Sequence, residues 1–171
     1  MYYGELKKRD IANGPGVRVS LFVSGCTHHC PGCFNSETWN FHYGKPFTEE
    51  TVQEVIEALA PSYISGLTLL GGEPMESQNQ SELIRLVRRV RQCYPEKSVW
   101  CFSGYTFETD LLPQWRMDQA ESLLSYIDVL VDGEFIQTQK NISLQFRGSE
   151  NQRIICVPES LKTGKTILWK P

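Results

Sequence analysis

No apolar run in the 171 residues approaches the length of a membrane span, and the segment from Met1 to Asp10 lacks the apolar core of a signal peptide. Basic charge is not in excess either. Seventeen Lys and Arg stand against 20 Asp and Glu, a net charge of −3, so no global basic field attracts nucleic acid. Repeats and low-complexity tracts are missing, and so is a recognisable Ser/His/Asp constellation. Six cysteines, three of them scattered, suit a reducing compartment better than a disulfide-stapled secreted domain. These absences predict a cytoplasmic protein with neither membrane nor nucleic-acid partners. The length suits a single domain, residues 1–171, able to bury its own core.

The most informative absence is a fourth cysteine in the stretch Cys26-Thr27-His28-His29-Cys30-Pro31-Gly32-Cys33. Thiolates are soft ligands for zinc or iron–sulfur clusters, and the C-x3-C-x2-C spacing lets one loop wrap one centre. A fully protein-ligated 4Fe–4S cluster takes four thiolates. Three would leave one iron open to a reactant, just as a catalytic zinc keeps one open position. The same octet also allows a Cys3His zinc site through His28 or His29, or a fourth thiol arriving from Cys93, Cys101 or Cys156.

Around this loop the chain alternates strand and helix signals. Asn13-Gly14-Pro15-Gly16 marks a turn, and Val17 to Ser24 reads as a strand with Val17, Val19, Leu21 and Val23 on one face. Phe34 to Pro46 is aromatic but patternless. Thr48 is a candidate N-cap for a helix that buries Val52, Val55, Ile56 and Leu59. Gly66 to Leu70 is a short buried strand stopped by Gly71-Gly72-Glu73-Pro74. A second helix buries Leu83, Ile84, Val87 and Val90 and turns Arg85, Arg88, Arg89 and Arg91 outward. That basic face is either solvated or a surface for an acidic partner.

Strands at 98–102, 127–131 and 153–157 follow, with a weaker helix over 115–126 and no helical pattern across 135–152. Such alternation predicts parallel β-α units. The chain is well short of the roughly 250 residues of a closed eightfold barrel, so an incomplete, laterally open (β/α) barrel is expected. Strand ends in such a fold share a rim, which would gather the cysteine loop, Gly71 to Pro74, Ser103-Gly104 and Asp132. Residues 157–171 form a possible extension in which Thr166 to Trp169 adds a strand or a docking segment.

The pairing of Cys26-x3-Cys30-x2-Cys33 with Gly71-Gly72-Glu73-Pro74 resembles the radical S-adenosylmethionine enzymes. Asn13-Gly14-Pro15-Gly16-Val17-Arg18 narrows the resemblance to activating enzymes of glycyl radical enzymes. Cys30-Pro31-Gly32-Cys33-Phe34-Asn35, Ser103-Gly104-Tyr105, Val131-Asp132-Gly133-Glu134-Phe135 and Phe146-Arg147-Gly148-Ser149 look most like the activators that serve anaerobic ribonucleoside-triphosphate reductase.

The resemblance implies a barrel of the radical S-adenosylmethionine type and a 4Fe–4S cluster held by Cys26, Cys30 and Cys33. S-adenosyl-L-methionine would be chelated by the open iron, its amino group received by Gly71, Gly72 and Glu73, with Pro74 stiffening the turn. Ser103, Gly104 and Asp132 would contact the ribose, the carboxylate or a cation. The reductase would be the protein substrate, and a low-potential donor such as flavodoxin would supply the electron. Gly32 stands where many such enzymes carry an aromatic residue, and Glu134 where some carry a lysine. Activation of a pyruvate formate-lyase type of enzyme, small-molecule radical chemistry, and a non-catalytic zinc or electron-transfer module are the alternatives.

Overall fold

The computed structural model describes residues 1–170; Pro171, the last residue of the 157–171 extension, lies outside them. In chain order the elements are β1 (Tyr2–Asp10), β2 (Val17–Val23), β3 (Lys45–Pro46), α1 (Glu49–Leu59), β4 (Ile64–Gly71), α2 (Ser77–Cys93), β5 (Ser98–Phe102), α3 (Leu112–Met117), β6 (Val129–Asp132), β7 (Arg153–Cys156) and α4 (Val157–Thr163). The strands form one open seven-stranded sheet, ordered β3-β1-β2-β4-β5-β6-β7. Its centre is parallel, with β2 on β4, β4 on β5 and β5 on β6. Both flanks are antiparallel: β1 runs against β2 and β3, and β7 against β6.

The two longest helices form where the periodicity predicts. In α1, Val52, Val55, Ile56 and Leu59 are buried, and the Thr48 N–H at its start donates to the Thr51 hydroxyl at 3.3 Å. In α2 the buried set includes Leu83, Ile84, Val87 and Val90. Each fully buried aliphatic side chain contributes about 2 kcal/mol of transfer free energy. The four arginines facing out of α2 are engaged within the chain. Arg85 and Arg89 pair with Glu49, Arg88 bonds the Tyr126 hydroxyl, and Arg91 pairs with Asp128. That disposition favours a bonded surface face over a free basic one.

Four features differ from the sequence expectation. The N-terminal segment is a nine-residue strand covered on its outer side only by the two residues of β3; Lys7, Lys8 and Arg9 are exposed in a row, so no hydrophobic alternation marks it. The helix expected over 115–126 splits into α3, which starts earlier at Leu112 with Pro113 in its first turn, and a short 3-10 turn at Leu123–Tyr126. Asp118, in extended conformation, ends α3. The strand at 153–156 pairs antiparallel with β6, so the β-α alternation stops there. The C-terminal segment adds only a single bridge, Ile155 to Leu168, and sets Trp169 edge-on to Trp100 at 5.1 Å between ring centres.

Val19, Leu21, Leu67, Leu69, Val99 and Cys101 face the helices in the main core. The intervening residues face the other way. There Trp100, Val129 and Val131 form a smaller cluster with Phe102, Phe146, Ile154 and Trp169 against it. This second face is the wall of the cavity described next.

Candidate cluster and ligand site

A cavity of about 1020 Å³ opens at the C-terminal ends of the parallel strands. Its walls carry Cys26, Cys30 and Cys33 from the loop after β2, Gly71 to Glu73 after β4, Ser103 and Gly104 after β5, and Gly133 after β6. The topological rule that places ligands at strand carboxyl ends is met. Cys93 lies exposed at the end of α2, Cys101 is wholly buried in the helix-facing core, and Cys156 is half-buried at the end of β7. None of these three lines the cavity.

The cysteine loop is tied at several points. The Gly25 N–H donates to the Thr38 carbonyl at 2.7 Å and the Cys26 N–H to the Trp39 carbonyl at 3.1 Å, while the Cys33 N–H donates to the Cys30 carbonyl at 3.1 Å. The Thr27 N–H and hydroxyl both donate to Glu76 Oε1, at 2.9 and 2.6 Å. Asn79 Nδ2 donates to the carbonyls of Ser24 and Glu73, at 3.1 and 3.0 Å. The start of α2 thus clamps the cysteine loop to the glycine turn. Glu76 and Asn79 were not singled out from the sequence. The signal available was two polar residues three apart, continuing the buried stripe of α2.

The turn after β4 packs tightly. Gly71 has φ of +109°, and a Cβ on Gly72 would stand 2.6 Å from the Gly25 carbonyl oxygen, so both positions take glycine for backbone reasons. Glu73 is buried at 1% exposure. Its Oε1 accepts from the Met75 N–H at 2.8 Å, and its Oε2 accepts from the Gly104 N–H at 2.7 Å. The carboxylate therefore joins the turn after β4 to the turn after β5. Ser103 accepts from the Tyr105 N–H at 3.1 Å, and Pro74 is buried beneath the rim. Asp132, also at 1% exposure, accepts from the Phe107 N–H at 2.9 Å and pairs with Arg153, and it does not line the cavity.

His28 lies between two carboxylates. Its Nδ1 is 2.9 Å from Glu134 Oε1, and its Nε2 is 3.3 Å from Glu73 Oε2, an ion-pair contact without hydrogen-bond alignment. These acids, Glu73 first, raise its pKa to about 9 against the opposing effect of burial. His29 tilts against Trp39 at 4.7 Å. The His28 nitrogens both face carboxylates, which weakens a Cys3His zinc arrangement through that residue. Among the described residues no three His, Cys, Asp or Glu side chains converge on a point that one ion could occupy.

A cubane gives each thiolate its own iron corner, so thiols that share a wall without meeting at one point suit a cluster better than a single ion. Burial raises the Cys26 thiol to about 11 and also raises Cys30, so either would have to give up a proton to serve as a metal ligand.

A profile of the 4Fe-4S single cluster domain matches residues 12–155. The chain is 44% identical over 156 residues to the anaerobic ribonucleoside-triphosphate reductase-activating protein of Enterobacteria phage T4, covering 90% of this chain and 93% of that one. Identity to the protein of that name from Vibrio cholerae is 45% over 157 residues, covering 90% and 97%. For the Escherichia coli K12 protein of that name it is 41% over 154 residues, covering 89% and 96%.

Proposed function

The chain belongs to the family of anaerobic ribonucleoside-triphosphate reductase-activating proteins and carries a 4Fe–4S domain, and from that premise we infer that it is a radical S-adenosylmethionine activase. In this reading residues 1–171 form one domain, an incomplete and laterally open barrel of the radical S-adenosylmethionine type, working in the cytoplasm. Cys26, Cys30 and Cys33 would hold a 4Fe–4S cluster, three thiolates leaving one position for S-adenosyl-L-methionine. When bound, the cluster supplies one electron, drawn from a low-potential donor such as flavodoxin, to cleave S-adenosylmethionine reductively and produce a glycyl radical on the reductase.

The chain's own residues bind and orient. Gly71 and Gly72 bring backbone against the ligand's amino end. Glu73, bonded to the Met75 and Gly104 amides, provides fixed negative charge behind it. Ser103 and Gly104 line the same cavity beside Glu73, where ribose or carboxylate would lie. Asp132 acts through Arg153 and Phe107 to hold the β6 end in place. The cofactors carry the hard chemistry, so no protein nucleophile or general acid is required. The open mouth suits a substrate delivered on a protein loop, which itself excludes water on docking.

The observation that carries this reading is the segregation of the six thiols: three share the cavity with the glycine turn, and three are kept out of it. The test is electron paramagnetic resonance on anaerobically reconstituted, reduced protein. The expected result is a reduced 4Fe–4S signal that changes shape when S-adenosylmethionine is added. A cluster signal indifferent to that ligand sinks the radical reading, and zinc retained without a cluster returns the loop to architecture.

A further inference from the structure

The segment 134–152 carries no ladder strand, yet it forms one wall of the cavity. Lys140 bridges Ser149, the Asn141 N–H donates to the Gly148 carbonyl at 3.2 Å, and the Glu150 N–H to the Gln139 carbonyl at 3.0 Å. The result is a small hairpin over the mouth, bent at Phe146, whose φ is +55°. Its tip shows Ile142 at 92% exposure. Across the cavity, the end of the cysteine loop shows Phe34 at 95%. These are the two most exposed large hydrophobic residues among those described, and both line the same mouth. Paired apolar groups left in water at one opening mark a contact surface more strongly than scattered ones do.

Charge at this mouth is mixed, but two of its cations have no acid partner among the described residues. Lys140 and Arg147 line it and make no ion pair among the described residues. Of the nearby acids, Glu5 pairs with Lys7 at 3.7 Å and Glu134 with His28, while Glu37 and Glu150 keep their charge under neutral donors, the Tyr43 hydroxyl at 2.8 Å and Asn141 Nδ2 at 3.0 Å. An incoming partner therefore meets these two cations without an acid partner, Arg147 being steadied by the Gln152 carbonyl, beside two bare apolar groups.

We propose that Phe34 and the 140–149 hairpin are the two jaws that dock the reductase. They take from it an extended segment with an apolar side chain across Phe34 and Ile142 and a carboxylate toward Lys140 and Arg147. This rests on the activase reading for the partner's identity, but the surface is separable from the chemistry. Basic residues at such an edge speed and orient encounter, while the apolar pair slows release.

The experiment measures affinity of the reconstituted chain for immobilised reductase from the same source, under anaerobic conditions. Ile142→Asp is expected to weaken binding about tenfold or more, as loss of a central apolar anchor does. Lys140→Glu is expected to weaken it about threefold or more, with the gap closing at high salt. Both variants should keep the reduced cluster signal and its response to S-adenosylmethionine. Ile142→Ser serves if the Asp variant misfolds. Affinities within about twofold of the parent for both positions overturn the proposal. A parent cluster signal blind to S-adenosylmethionine, with binding still lost in Ile142→Asp, defeats the activase chemistry and leaves the docking surface standing.

Discussion

The two faces of the sheet come from alternate residues of the same strands, yet they are built to different rules. On the helix-backed face, Val19, Leu21, Leu67, Leu69 and Val99 are all at 0% exposure and are bonded to nothing. On the cavity face the corresponding positions are Arg18, Ser20, Thr68, Trp100 and Phe102. Arg18 is equally buried, at 0% exposure. Its guanidinium donates to Thr68 Oγ1 at 2.7 Å, to Ser98 Oγ at 3.0 Å, and to the Leu67 and Ser98 carbonyls at 2.8 and 3.0 Å, below the Trp100 ring. Burial lowers its pKa to about 10. One face stores stability through area; the other buries polar groups, and Arg18 and Thr68 there are held by hydrogen bonds while the Ser20 hydroxyl has no partner among the described residues.

The comparison breaks hardest at the thiols. Cys26, Cys30 and Cys33, each changed to Ala, should lose essentially all bound iron and the cluster absorbance. Cys101→Ala, on the helix-backed face, should keep full iron while losing about 1 kcal/mol of stability to a small core cavity. Iron content and denaturation midpoints of the four variants read both effects. Iron loss in Cys101→Ala would contradict the division between the faces.

Next in size is Leu67→Ala, in the middle of β4 and wholly buried under the helices. Truncation there should cost about 3 kcal/mol in urea denaturation, with cluster loading per folded molecule unchanged. Arg18→Met probes the opposite face at the neighbouring strand. It keeps most of the volume but orphans buried acceptors, and should cost about 2 kcal/mol. A gain in stability instead would mean that desolvating the guanidinium outweighs its four bonds.

The same division explains what was legible in the sequence. Periodicity and spacing are local, so the β2 and β4 strands, the buried stripes of α1 and α2, and the cysteine octet could all be read directly. The clustering of Gly71 to Glu73, Ser103-Gly104 and the three thiols followed from strand ends sharing a rim. What could not be read depends on pairing between distant segments. β1 lies next to the short edge strand β3, and its burial follows no alternation. Glu76 and Asn79 look like ordinary polar residues at a helix start until the cysteine loop is laid against them. Glu73 looked like a free acid for a ligand, whereas two backbone amides already hold it. Asp132 sits at the predicted strand end, but its carboxylate answers Arg153, which is supplied by an antiparallel strand that the β-α alternation did not foretell.

The smallest effect lies at the edge of the sheet where the two faces meet. Arg153 on β7 is shared between buried Asp132 and half-exposed Glu108, and Thr166 of the C-terminal segment also donates to Glu108. Arg153, first, and Thr166 hold the Glu108 carboxyl down to about 2 from its ordinary 4.5. Because the folded-state pKa is depressed, the contribution is complete above pH 4.5 and is lost as pH falls toward 2. Solvent screening at this exposed site limits it to about 0.5–1 kcal/mol. Glu108→Gln should therefore be less stable than the parent by that amount at neutral pH, and the difference should shrink steadily below pH 4.5. Urea midpoints of both proteins, taken as a difference at each pH, give the readout, because other carboxylates titrate in both. A difference that stays constant down to acid pH would show that Glu108 acts through packing of the C-terminal segment, and that the edge is held by area rather than by charge.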